Sequence, residues 1–196
     1  MHWGSLGRMA SSLSDRYPRF VYYPLTRRPP VWAEKIVGLF STLRGQIDTT
    51  RGLQKKSDEV LAILRPGLEK LKFDVEKGKR IGQKIQRPAL FGEMGEPGHK
   101  YEVDAYNAEE GLVLEIEAGR AIKGNAIYRD LIQMSLMLDA RFAIIAMPIA
   151  YRHKQRKEEA TTVEVPSYAS GKKLLEAIYA SPRLHLPFEG ILLVGY

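Results

Sequence analysis

The run "RFAIIAMPIA", from Arg141 to Ala150, is apolar on both of the faces that a strand would present. Such a strand belongs in the middle of a sheet that is covered on both sides. A helical spacing precedes it, with Ile127, Leu131, Met134 and Leu138 four, three and four residues apart and Asn125 at the N-cap position. Upstream of that helix, "GLVLEIE" reads as another strand. Strand, crossover helix and strand imply parallel pairing, because a parallel neighbour cannot be reached by a tight turn. The chain is therefore expected to be α/β, a mixed β-sheet flanked by helices.

The other segments fit that frame. Residues 1–30 read as an irregular N-terminal extension ending in "TRRPP", where two prolines deny a helix. The tyrosines of "FVYYP" read as packing residues. Residues 31–196 then form one domain, with its core at about 54–150. Apolar stripes predict helices from Val31 to about Ile47 and from about Gln54 to Leu71, the second with a kink at Pro66. "KFDVEKGKR" reads as a strand running into a basic turn. Strands over Lys100–Tyr106 and Gly111–Glu117, joined by "NAEE", read as a hairpin. "RHKQRKEEATT" reads as a charged loop, "GKKLLEAIYAS" as a short helix and "FEGILLVGY" as a last strand.

Charge is distributed unevenly. The net charge is +7, which favours a polyanionic partner. Yet residues 101–119 carry six carboxylates (Glu102, Asp104, Glu109, Glu110, Glu115 and Glu117) and no Lys or Arg. Period-2 geometry puts Glu115 and Glu117 on one strand face, opposite Leu112, Leu114 and Ile116, with Asp104 close by on the hairpin partner. Three carboxylates that close cannot all ionise without a cation. Mg²⁺ resolves the conflict, since it takes one or two carboxylates and keeps several waters. A solvated polar face is the plainer alternative. Beyond the strand, Arg120 and Lys123 in "AGRAIKGN" are candidates to grip a phosphate.

Asp104, followed by Glu115-Ile116-Glu117 at the end of the next strand and then by a helix and a buried strand, resembles the PD-(D/E)XK nuclease superfamily. The resemblance implies a restriction-endonuclease-like core of helix, three strands, helix and strand. It implies that Asp104, Glu115 and the backbone carbonyl of Ile116 ligate Mg²⁺, with Mn²⁺ as a substitute. Glu117 stands where most members carry lysine, as in a Glu-x-Glu branch similar to type II restriction enzymes. It is expected to be a ligand or a water-orienting base. Glu59 in "KSDEVL" is the candidate for the extra helix glutamate of many members; a first-turn acid favoured by the helix dipole is its ordinary reading. The expected activity is endonucleolytic hydrolysis of DNA, by analogy as a homodimer.

Lys79 in "EKGKR" and Arg152 and Lys154 in "YRHKQRK" are further candidates for DNA contacts, or else solvated surface charge. Cysteine is absent and the four histidines are scattered, so a zinc site has no support. Neither a Walker loop nor GxGxxG occurs. No apolar run approaches the ~20 residues of a membrane span and no signal peptide is legible, so a cytoplasmic protein without a membrane partner is expected. Two rival readings are a catalytically silent nucleic-acid-binding member of the same fold and an unrelated interaction protein.

Overall fold

The computed structural model describes residues 16–80, 82–118, 125–154 and 162–196. Strand β1 (Arg19–Tyr23) leads into helices α1 (Val31–Thr42), α2 (Arg44–Ile47) and α3 (Ser57–Lys70). Strands β2 (Asp74–Val75), β3 (Ile85–Phe91), β4 (Pro97–Val103), β5 (Ala105–Asn107) and β6 (Leu112–Ile116) follow. After helix α4 (Ala126–Leu136) come β7 (Phe142–Met147), β8 (Tyr151–Lys154) and β9 (Thr162–Val165), then α5 (Ser167–Ala180) and β10 (Gly190–Gly195).

The apolar run forms β7, inside a six-stranded mixed sheet of order β1-β10-β7-β6-β5-β2. β7 pairs parallel with β6 on one side and with β10 on the other. Each parallel step is made by a helical crossover, α4 for the first and α5 for the second. One sheet face packs Leu112, Leu114, Ile116, Ile144 and Leu192 against Phe40, Leu64 and Leu68 of α1 and α3. The opposite face packs Val113, Ile145 and Leu193 against Ile127, Leu131 and Met134 of α4 and Leu175 of α5. Among the described residues, no helix is long and apolar enough to cross a membrane.

The hairpin that presents the acidic residues is fixed at its turn. Asn107 accepts from the Glu110 amide (2.9 Å) and donates to the Leu71 carbonyl (2.9 Å). Gly111 takes φ +67°, where a side chain is strained and where a Cβ would lie 3.0 Å from the Asp139 carbonyl.

Several expectations need correction. Part of the segment expected to be irregular is β1, which pairs antiparallel with β10 and buries Tyr22 and Tyr23. The strand expected over Lys100–Tyr106 breaks at Asp104. Val103 ends a ladder with Ile85 in the separate β3–β4 hairpin, and Ala105 starts a new ladder with Leu114 of β6. Part of the expected charged loop is a β8–β9 ribbon. Leu138, expected on the buried stripe, is exposed, and Met137 is buried instead. The helix expected to run through Pro66 does so, as α3, and starts at Ser57 rather than at about Gln54. Asn125 is the N-cap of α4, but its side chain makes no cap hydrogen bond.

Candidate active site

Three elements deliver the acidic residues. Glu115 lies on β6 on the same face as Val113, which packs under α4, and it is half-buried there rather than fully solvated. Asp104 occupies the break between β4 and β5, where Oδ2 accepts the Ile116 amide (2.7 Å) and the main-chain oxygen accepts the Glu76 amide (2.8 Å). Glu117 follows β6, and its amide donates to the Ala146 carbonyl (2.8 Å). The Tyr196 hydroxyl donates to the Glu117 carbonyl (2.6 Å), and the Tyr196 carbonyl in turn accepts the Thr49 hydroxyl. Backbone contacts thus hold all three acids at one end of the sheet.

The cluster is electrostatically unfavourable when ionised. Burial pushes Asp104 up to about 7, against the opposing Ile116 amide, and the nearby acids Glu76, Asp58 and Asp130 push the same way. Glu115 is raised well above the usual carboxylate range by burial, then by Asp104, Asp130 and Glu117. Glu117 is pushed up to about 9 by burial and by close contact with the Asp130 carboxyl, with Arg129 opposing. Asp130 is buried on α4; Oδ1 accepts Arg129 Nε (2.9 Å), and Oδ2 has no hydrogen-bond partner. Such displacement favours the protonated forms until a cation is supplied.

Two open clefts flank the cluster. One, of about 480 Å³, is lined by Glu76, Asp104, Glu115, Arg129 and Asp130, with part of β4 as a wall. The other, of about 560 Å³, reaches Glu117 and is lined by Lys55, Lys56, Lys79 and Arg152.

The remaining acids of the island have ordinary surface roles. Glu102 pairs with Lys84, and Glu109 with Lys72 (2.7 Å). Glu59 is exposed and accepts the Lys56 amide (2.7 Å), closing the first turn of its own helix. It is Asp58, not Glu59, that acts on Asp104. Lys79 pairs with Asp58 (3.1 Å) and Arg152 with Glu164 (2.8 Å), and both line the second cleft. Arg120 and Lys123 lie outside the described residues, as does the side chain of Lys154.

Sequence reading missed Asp130, Arg129, Glu76 and Tyr196. Asp130 carried a signal: it stands three residues after Ile127 and directly before Leu131, an acid on the stripe that α4 buries.

The donor set is all oxygen and suits a hard cation such as Mg²⁺, and among the described residues the buried Asp130 Oδ2 has no hydrogen-bond donor directed at it. Among the described residues, no three His, Asp or Glu side chains already converge as a metal cage. Mg²⁺ requires only one or two carboxylates, with waters completing its shell. Comparison with protein-family models, curated proteins and solved structures found no match.

Proposed function

We propose that the protein is a Mg²⁺-dependent DNA endonuclease with a restriction-endonuclease-like core. The observation that carries this reading is the convergence of Asp104, Glu115 and Glu117 at one sheet end, where burial and mutual repulsion disfavour their ionised forms. The order α3, β2, β5, β6, α4, β7, with the β3–β4 hairpin inserted, supports the fold assignment. The basic cleft beside the acids supports a polyanionic substrate.

Asp104, Glu115 and the Ile116 carbonyl would hold the ion. When bound, Mg²⁺ acidifies a coordinated water and offsets charge on a phosphoryl oxygen. The Ile116 amide fixes one oxygen of Asp104 and leaves the other for a second partner. Glu117, anchored through Ala146 and Tyr196, orients the attacking water and accepts its proton. The water oxygen bonds to phosphorus as one bridging P–O bond breaks, and the leaving oxygen takes a proton. Arg129, exposed at the first cleft and held by Asp130, meets the phosphate charge. Cutting both strands of a duplex calls for two such sites, which a symmetric homodimer supplies.

Supercoiled and linear DNA incubated with Mg²⁺ or Mn²⁺ is expected to be cut, and EDTA to abolish the cutting. Glu115→Ala is expected to slow cleavage by roughly 10² or more. Cleavage that survives this substitution would refute the site assignment. Intact DNA with both metals would overturn the nuclease reading.

A further inference from the structure

The second cleft is built differently from the first. The loop before α3 and the β8–β9 ribbon form its opposing walls, and Gln54 ties them together. Its amide nitrogen donates to the Ala150 carbonyl (3.0 Å), and its oxygen accepts the Arg152 amide (3.2 Å). The cleft is therefore held open by the fold itself. Lys55 and Lys56 face it and make no ion pair among the described residues, while Lys79 and Arg152 are steadied there by Asp58 and Glu164. Tyr151 also lines it, and the Tyr151 ring stacks on that of His153, with centroids 5.6 Å apart and planes 11° apart. A flat aromatic ring among four cations is the combination that binds an unpaired strand: charge tracks the phosphates and the ring takes a base. A paired base offers no free face for that stack.

We infer that this cleft is a binding track for single-stranded DNA, with Lys55, Lys56, Lys79 and Arg152 on successive phosphates and Tyr151 against an unpaired base. The inference rests on the nuclease reading only for its consequence: the strand that leaves the cleft passes Glu117, so the preferred substrate carries a single-stranded segment beside the bond that is cut.

The test is fluorescence anisotropy of the full chain with a labelled single-stranded oligonucleotide in EDTA, using a duplex of equal length as competitor. The single strand is expected to outcompete the duplex. Lys55→Gln combined with Lys56→Gln is expected to weaken binding roughly tenfold and to flatten the salt dependence by roughly 0.7 per lost contact. Tyr151→Leu is expected to weaken binding about fivefold or more while leaving the salt slope unchanged. Thermal melts confirm that each variant is folded. Native-like binding by the folded lysine variant, or preference for the duplex, would overturn the inference. Binding with the expected pattern but no cleavage in Mg²⁺ would sink the nuclease reading and leave the cleft standing. Cleavage that is indifferent to the lysine pair would do the reverse.

Discussion

Asp48 and the Asp104 cluster are both carboxylates withdrawn from water, and the protein treats them in opposite ways. Asp48 is fully buried, yet it accepts the Thr50 amide (2.9 Å), the Thr50 hydroxyl (2.5 Å) and Arg44 Nε (2.9 Å). Burial alone would raise its pKa, but these bonds outweigh burial and hold it below the ordinary value. The cluster has one amide on Asp104, one guanidinium already engaged by Asp130, and several acids pushing one another upward. The contrast separates a carboxylate used to hold structure from carboxylates whose demand for positive charge is left open. The second kind makes the cluster the candidate functional site.

Substitution is expected to split the two regions by sign. Asp48→Ala removes three hydrogen bonds from a buried group and should lower stability by about 2 kcal/mol, measured from the urea midpoint. Asp104→Asn keeps an acceptor for the Ile116 amide but removes a charge that its neighbours disfavour. In EDTA at pH 8 it should raise stability by about 1 kcal/mol. A loss comparable to that of Asp48→Ala would place Asp104 among the structural carboxylates. Mg²⁺ should raise the Tm of the native chain, by the ordinary linkage of a ligand to the folded state, and should leave Asp104→Asn nearly unmoved.

The comparison extends to pH. The folded values of Asp104 and Glu117, about 7 and about 9, lie above their unfolded values of 3.8 and 4.5. The folded state therefore binds more protons in that interval, and stability falls as pH rises through it. Asp48 has the opposite sign: its contribution is present above 3.8 and is lost as pH falls through its lowered value. Metal-free melts should thus decline from about pH 5 to pH 9, and Mg²⁺ should flatten that decline. A metal-free Tm that climbs across the same range would contradict the assignment of protonated carboxyls.

Much of this was legible because it is local. Two-sided apolarity marked β7, helical spacing marked α4, and the spacing of Asp104 from Glu115 and Glu117 marked the acids. What escaped depends on partners distant in sequence. β1 is recognisable only beside β10, far along the chain, and its flanking prolines read as punctuation. The break at Asp104 arises because β4 prefers β3 while β5 prefers β6, a competition that alternation along one strand does not reveal. The acidic face was open to being read as solvated because nothing in "LEIE" announces that α4 lies over it. The split within the island has the same origin. Lys72 and Lys84, which neutralise Glu109 and Glu102, come from other elements, and among the described residues no such lysine reaches the inner three.

One consequence concerns mutational drift. Asp104 is oriented by the amides of Ile116 and Glu76, which belong to the main chain and are present whatever side chains stand at those positions. Neighbouring side chains can therefore be exchanged without loosening the first acid. Glu117 shares this immunity only in part: its amide is held by the Ala146 carbonyl, but its carbonyl depends on the Tyr196 hydroxyl. A scaffold that anchors Asp104 through main-chain amides lets the side chains around it be revised while that acid keeps its place.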